Sequence, residues 1–189
     1  MFTVNLEEDT LYEVLVSTST GDDFNIRAFG MRLVDGNIVL KLYPNHTLSN
    51  IKKTGTFTVH FTGDVSLFTG AVFGLLDESS LKLVDVSIVC EVISIDSSHV
   101  EDSYGKNITT TIHAKPVEII RNRESMPTIN RATNKIIELL VDYTRYQYMN
   151  ICAKKQYLEK LEQTEKYIQK NGNQKHKQAI NKIKKETKS

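Results

Sequence analysis

Two kinds of hydrophobic pattern divide the chain near residue 125. Before that point, short segments rich in β-branched residues partly alternate apolar and polar positions, which is typical of half-buried strands. After it, apolar residues recur every three or four positions, which indicates amphipathic helices. We therefore predict one domain over residues 1–125 and a small helical unit over residues 126–189.

The strand pattern favours an antiparallel barrel. Asp35-Gly36-Asn37 is a strong hairpin signal, because Gly and Asn tolerate positive φ. Since no long helix alternates with the strands, a parallel sheet is disfavoured, and a closed or nearly closed antiparallel β-barrel is expected. The predicted strands cover 11–19, 25–34, 38–43, 57–61, 84–95 and 108–120.

Two short helices are expected to interrupt these strands. The first is predicted over 47–53, with Thr47 as its N-terminal cap. The second is predicted over 65–76, after the cap candidate Asp64. Its apolar face is expected to consist of Leu67, Ala71 and Leu75.

Three helices are expected in the C-terminal unit. The first follows Pro127, with Thr128 as its cap candidate. The second covers 148–170 and ends at Asn171-Gly172, and the third covers 174–185. The residues expected to face inward are Ile129, Ile136, Ile137, Leu140, Thr144, Ile151, Leu158, Leu161, Ile168, Ala179, Ile180 and Ile183.

Charge is unevenly distributed along the chain. Of 189 residues, 40% are hydrophobic and 25% charged, as in ordinary globular proteins, and the net charge of +1 excludes a uniformly basic nucleic-acid binder. Residues 154–189 nevertheless carry a net charge of +7, against −6 for residues 1–153. This basic segment is a solvated helical face, an anion or nucleic-acid patch, or a docking surface for an acidic subunit. We favour the solvated face, because only Tyr157 and Tyr167 there offer platforms for base stacking.

The two cysteines, Cys90 and Cys152, form no disulfide framework, which fits a reducing compartment. We expect Cys90 to be a core residue. The N-terminus lacks a signal-peptide pattern, and no apolar stretch approaches the roughly 18 residues that would span a membrane. A cytoplasmic location is therefore expected.

The sequence shows no metal-binding or nucleophile motif. None of the five histidines stands in an HxH, HExxH or CxxC context, so no metal site is predicted, and the catalytic residues stay unknown. We expect His60 to be a hydrogen-bonded strand residue, and His99 and His176 to be exposed.

Hydroxyl and amide side chains cluster where predicted strands end, in segments 17–31, 43–55 and 62–68. The Asn45-His46-Thr47 turn leads into a helix that contains Asn50. Free N–H groups and the helix dipole make such a helix start suitable for a phosphate. Ordinary turn and capping chemistry explains the same residues, and both interpretations stay open at this point.

Several short motifs follow one another along these segments and along the helix that comes after them. Their positions are Glu13, Ser17-Thr18, Asn25, Gly30, Thr47, Asn50, Asp64, Leu67, Phe68, Asn130, Arg131, Glu138, Thr144 and Arg145. In order and spacing the chain resembles the flavin reductase-like FMN-binding split-barrel family over most of residues 10–146. It looks most similar to an archaeal branch of uncharacterised proteins that carry a C-terminal helical unit. Two positions depart from the family pattern: Ala28 replaces a proline and Asn45 replaces a serine.

The resemblance implies an FMN site. Thr47 and Asn50 are expected to bind the phosphate, and Arg131 either neutralises the phosphate or ties its helix to the barrel. The strand backbone around Gly30 is expected along the flavin ring, since glycine permits close approach. The implied FMN-contacting residues are Thr18, Asn25, Arg27, Ala28, Phe29, Gly30, His46, Thr47, Asn50, Asp64, Phe68 and Arg131.

The resemblance also implies a class and an activity. The class is α+β, an antiparallel split β-barrel followed by a small C-terminal helical unit, assembled as a homodimer with flavin at the subunit interface. The activity is that of a flavin-dependent oxidoreductase with hydride or electron transfer from NAD(P)H. Since flavin carries out the hydride chemistry, the protein needs no acid–base pair. The alternatives are a non-catalytic FMN-binding or storage module and a nucleic-acid-binding barrel.

Overall fold

The computed structural model describes residues 6–21, 23–102 and 105–188. Its strands are β1 (Leu11–Thr20), β2 (Asp23–Val34), β3 (Asn37–Leu42), β4 (Thr56–Phe61), β5 (Val86–Asp102) and β6 (Gly105–Arg121). They form a closed barrel in the order β1-β2-β3-β6-β5-β4, with β4 pairing back onto β1. The antiparallel barrel predicted from the sequence is confirmed.

The turn between β2 and β3 follows the hairpin signal. Asp35 and Gly36 both have positive φ, 50° and 74°, as a tight two-residue hairpin turn requires. The barrel interior is filled by alternate side chains of the strands. Cys90 belongs to this core, as predicted, and burial raises the pKa of its thiol to about 12.

Helix α1 (His46–Thr54) begins earlier than predicted. Its cap is Asn45, whose Oδ1 accepts a hydrogen bond of 2.8 Å from the Leu48 N–H, so Thr47 as the cap is wrong. Asparagine is the stronger N-terminal cap, and Thr47 instead lies within the first turn with its side chain buried.

Helix α2 (Val65–Phe73) is capped by Asp64, as predicted. It ends at Gly74, which has a φ of 70°, so the helix is shorter than expected. Leu67 and Ala71 are buried, but Leu75 lies beyond the helix and is 76% exposed. The predicted apolar face, with residues four positions apart, is therefore wrong at Leu75.

The C-terminal region forms helices α3 (Arg131–Tyr143), α4 (Ile151–Asn171) and α5 (Gln174–Lys188). The cap of α3 is Asn130 rather than Thr128, because Asn130 Oδ1 accepts from two backbone N–H groups. Gly172 follows α4, in agreement with the predicted stop.

The inward face of these helices differs in part from the prediction. Leu139 of α3 is fully buried, while Ile137 and Leu140 are 52% and 44% exposed. Ile151 and Leu158 of α4 are also exposed. The buried apolar residues are Ala132, Ile136, Leu139, Tyr157, Leu161, Ile168, Ile180 and Ile183.

His176 was expected to be exposed and is instead buried in the helical unit. Its Nδ1 accepts a 3.1 Å hydrogen bond from the backbone N–H of Asn173, and its Nε2 lies 2.9 Å from Thr133 Oγ1. Helices α3 and α5 pack against each other, and the bond between His176 and Thr133 joins them.

Contacts divide the chain into two compact units. The barrel unit contains Tyr12–Ile129, and the helical unit runs from Asn130 onward and includes Asp9–Leu11. In the described part of the chain, no helix is both long enough and apolar enough to cross a membrane.

Candidate functional site

A cavity of about 290 Å³ lies in the barrel unit at the start of α1. Strand β2 and helices α1 and α2 all contribute to its wall. The lining residues are Asn25, Arg27, Ala28, Phe29, Asn45, His46, Thr47 and Val72. Six of the predicted FMN-contacting residues therefore line one cavity.

A buried hydrogen bond joins the two sides of this cavity. Asn25 Nδ2 donates to Thr47 Oγ1 at 2.8 Å, and both side chains are at most 4% exposed. A hydroxyl has two acceptor lone pairs and one proton. Thr47 can therefore accept from Asn25 and still donate its own proton to a ligand.

Arg27 supplies positive charge to the cavity. Its Nη1 donates to the backbone oxygen of Ile26 at 2.7 Å, which holds the guanidinium in place. A Cβ on Gly74 would lie 3.0 Å from Arg27 Nη2, so the glycine leaves room for this group. The guanidinium and the start of α1 both favour an anionic ligand.

His46 and Asn45 lie at the mouth of the cavity. His46 Nε2 is 2.9 Å from Asp23 Oδ2, and both side chains are about half exposed. Asn45 uses its amide oxygen as the helix cap. A ligand phosphate at this position would compete with Asp23 for His46.

Asn50 lies behind the cavity rather than in its wall. Its Nδ2 donates to Thr18 Oγ1 at 3.2 Å and to Asp23 Oδ2 at 3.4 Å. Because a carboxylate only accepts, the Asp23 contact fixes the orientation of the amide. Asn50 Oδ1 is then buried without a hydrogen-bond partner among the described residues.

A second polar group lies on the outer face of the barrel. Ser17, His60 and Ser87 alternate with strand residues that fill the barrel core, so their side chains point outward. His60 Nε2 is 2.8 Å from Ser17 Oγ, and its Nδ1 is 2.7 Å from Ser87 Oγ. Burial lowers the pKa of His60 to about 4, so the ring is neutral at pH 7. The expectation of a hydrogen-bonded strand histidine is confirmed.

Ser17 and Thr18 also line a second cavity, of about 170 Å³. Hydroxyl groups dominate its wall, together with two aromatic rings. The lining residues are Ser17, Thr18, Ser19, Phe24, Thr56, Phe57, Thr58 and Val89.

Five predicted site residues line neither of these cavities: Asn50, described above, and the four that follow. The carboxylate of Asp64 caps α2, where it accepts from the Ser66 N–H at 2.8 Å. Phe68 packs against an apolar cluster with Leu67 and Ala71. Gly30 lies in β2 beyond Phe29, and Arg131 is the first residue of α3 in the helical unit.

Asp23 and Val72 were missed as site residues, and Asn45 was considered only as part of the helix-start turn suited to a phosphate. Asp23 belongs to a Gly-Asp-Asp segment that reads as a turn, and Asn45 reads as a substituted family position. Val72 lies in the segment predicted as the second short helix, and no motif singles it out. No cluster of three or more His, Cys, Asp or Glu side chains suited to a metal occurs within 6–21, 23–102 and 105–188.

The closed six-stranded antiparallel barrel followed by C-terminal helices defines the class as α+β. Residues 12–123 match the N-terminal domain of a family described as "Protein of unknown function (DUF447)", and residues 130–185 match that family's second domain. The chain belongs to this family.

Three solved structures are similar to this chain, and the first of them shows the same fold. The chain is similar to an FMN-bound protein from Methanosarcina mazei with the same family description, at 22% identity and a TM-score of 0.54, covering 95% of this chain and 96% of that one. It is also similar to the styrene monooxygenase flavin reductase of Pseudomonas putida S12, at 14% identity and a TM-score of 0.47, covering 60% and 82%. Flavoredoxin from Methanosarcina acetivorans matches at 14% identity and a TM-score of 0.46, covering 64% and 74%. The resemblance inferred from the sequence motifs is confirmed at the level of family and fold.

Proposed function

We propose that this chain binds FMN in the cavity beside α1 and acts as a flavin-dependent oxidoreductase that takes hydride or electrons from NAD(P)H. One observation carries the proposal: two segments far apart in sequence, 25–29 and 45–47, line the same cavity. The FMN-bound state of the similar Methanosarcina mazei protein supports the choice of ligand.

The lining residues fit the parts of FMN. The Thr47 hydroxyl accepts from Asn25 and has a proton that it can donate to phosphate, and the first N–H groups of α1 are of the kind that binds phosphate. Arg27 supplies a guanidinium, which also favours negative charge on a reduced ring. Ala28, Phe29 and Val72 offer apolar surface for a flat ring system. When bound, the flavin itself would supply the hydride chemistry.

The size of the cavity supports a homodimer within the proposal. About 290 Å³ lies at the lower end of the volumes that enclose organic ligands. FMN would therefore extend beyond the wall that one chain provides. A second copy of the chain is the covering surface that we propose.

The proposal includes two further expectations, one on Arg131 and one on the cellular location. Arg131 either contacts the phosphate or is a structural residue of α3. A cytoplasmic location is supported by the free cysteines Cys90 and Cys152.

The visible absorption spectrum of the purified protein tests FMN binding. A perturbed flavin band that survives desalting is expected after FMN is added, and a protein that retains no flavin would overturn tight binding. Anaerobic addition of NADH or NADPH then tests the activity. Bleaching supports the oxidoreductase, whereas bound flavin that stays oxidised would favour a binding or storage module.

Thr47→Val tests which end of FMN lies at α1. The variant should weaken FMN about tenfold, because a charge-assisted hydrogen bond to phosphate is lost, and weaken riboflavin much less. Thr47→Ser keeps the hydroxyl and is the matched control. If the affinities for FMN and riboflavin fell equally, the phosphate end of FMN would not lie at α1.

A further inference from the structure

One side of helix α2 and the chain directly after it form an exposed apolar surface. Val65, Val72 and Phe73 stand at positions i, i+7 and i+8, which share one side of a helix, and they are 73%, 63% and 72% exposed. Leu75, just beyond the end of the helix, is 76% exposed. We call these four residues the α2 face. The outer side of a surface helix normally carries polar and charged residues instead.

The α2 face is large and lies in an uncharged segment. Residues 65–76 contain no Asp, Glu, Lys or Arg. At about 150–200 Å² for each large apolar residue, the exposed fractions amount to roughly 500 Å². That is more than half of the ~800 Å² that each partner buries in a standard protein interface. An apolar surface of this size marks an interaction site.

The absence of charge favours a second copy of this chain as the partner on the α2 face. In a dimer with a two-fold axis, each copy presents the same patch to the other. A charged patch would then oppose like charges, which disfavours association, whereas an uncharged apolar patch is complementary to itself.

The α2 face also borders the cavity proposed for FMN. Val72 belongs to both, because its side chain lines that cavity. Gly74, at the end of α2, lies next to the guanidinium of Arg27, which lines the cavity too. The cavity is too small to enclose FMN by itself. A partner that packs on the α2 face therefore lies at the edge of an incomplete site.

We propose that two copies of this chain pack α2 face against α2 face, and that the partner's apolar surface completes the flavin site beside Val72. The completion of the site rests on the proposed FMN function, whereas the pairing of the two faces does not. The pairing stands on the exposure of the four apolar side chains and on the absence of charge around them.

Sedimentation equilibrium of the flavin-free protein tests the pairing. The wild type should be a dimer, and Phe73→Glu should weaken the dimer about a hundredfold or more, as expected when a central aromatic contact is replaced by a charge. Ile93→Glu, at a position of β5 that is 56% exposed and outside the α2 face, is the matched control and should stay dimeric. A monomeric wild type, or a Phe73→Glu variant as dimeric as the wild type, would overturn the pairing.

Cysteine cross-linking locates the contact without relying on a charged substitution. Residues near a two-fold axis meet their own copies, so a cysteine there can form a disulfide between the two chains. In a Cys152→Ser background, which removes the exposed native thiol, at least one of Val65→Cys, Phe73→Cys and Leu75→Cys should form a disulfide-linked dimer on mild oxidation. Ile93→Cys should not. Cross-linking of Ile93→Cys alone would place the contact elsewhere and overturn the pairing.

The FMN affinity of the monomeric variants tests whether the partner completes the site. Phe73→Glu should bind FMN about tenfold more weakly than the wild type, because half of the covering surface is lost. Phe73→Lys should have the same effect on the dimer and on FMN, which separates lost pairing from repulsion between the new carboxylate and the phosphate. Ile93→Glu should keep the wild-type affinity.

Failure of this inference and failure of the proposed function give different results. If the monomeric variants bind FMN as tightly as the wild type, completion of the site by the partner is overturned and FMN binding stands. If the wild type pairs through the α2 face but binds no FMN, the proposed function fails and the pairing stands.

Discussion

Most of the buried polar side chains among the described residues lie in the barrel unit, whereas the helical unit buries few of them. In the barrel, buried neutral groups bond to one another across elements, as in the pair Asn25–Thr47. In the helical unit, charged groups pair at the surface, as in Lys184–Glu165 at 2.6 Å and Lys160–Asp142 at 2.8 Å. Apart from His176 and Thr164, the buried side chains of its helices are apolar or aromatic.

This difference has an energetic consequence. Breaking a buried hydrogen bond leaves a desolvated partner, at a cost of about 1–3 kcal/mol, whereas an exposed ion pair contributes about 0–1 kcal/mol. The helical unit depends instead on packing, in which the rings of Tyr143 and Tyr146 lie 5.1–6.5 Å from one another and from Tyr157. The barrel thus holds polar groups in defined directions, which a binding site needs, and the helices supply apolar cohesion.

The largest effect should come from a matched pair of substitutions in α3. Leu139 is fully buried and Leu140 is 44% exposed. Leu139→Ala should lower the free energy of unfolding by about 4 kcal/mol through lost burial and a cavity, and Leu140→Ala by under about 1 kcal/mol. Urea denaturation monitored by circular dichroism measures both. Similar losses would show that packing on this face does not decide the stability of the helices.

The next largest effect concerns pH and the barrel. The unfolded chain protonates His60 near pH 6.5, but the folded protein does so only near pH 4. The folded state therefore binds fewer protons in this range, and stability is lost as the pH falls from 6.5 to 4, by roughly 3 kcal/mol.

His60→Gln should remove this part of the pH dependence, whereas His99→Gln, at an exposed position of β5, should keep it. Denaturation curves of each variant and of the wild type, recorded at several pH values, measure this. The difference in the free energy of unfolding between variant and wild type cancels the contribution of the carboxylates. If the free energy of unfolding of His60→Gln depended on pH as strongly as that of the wild type, a buried neutral ring would be contradicted.

The smallest effect is expected at the surface of the helical unit. Glu165→Gln removes the charge that faces Lys184 and should lower the free energy of unfolding by under about 1 kcal/mol, and by less still at high salt. Thermal denaturation at two salt concentrations measures it. A loss as large as that of Leu139→Ala would break the contrast between the two units.

The candidate site was predictable at residues that belong to a motif recognisable in the sequence. Asn25 and Thr47 were expected at the site from motif order, and the structure joins them by a direct hydrogen bond. Asp64 was assigned both as a cap and as a site residue, and the structure places its carboxylate at the cap. Asp23 was missed because its contacts with His46 and Asn50 join parts of the chain more than 20 residues apart.

The sequence by itself determined the antiparallel barrel, its tight hairpin and the helical C-terminus. Three local properties of the sequence carry this information: alternation of period two, residues such as Gly36 that adopt positive φ, and helical periodicity. Each depends on neighbouring residues in the chain and not on the tertiary structure. The sequence also indicated that Cys90 would be a core residue and that His60 would be a hydrogen-bonded strand residue.

Only the tertiary structure decided which face of α3 is buried, because Ile137 and Leu139 are equally apolar and the choice depends on what packs against them. The same holds for His176 and for the Ser17–His60–Ser87 group. Those three side chains come from separate strands, and only the closed sheet sets their register, their burial and the pKa of the ring between them.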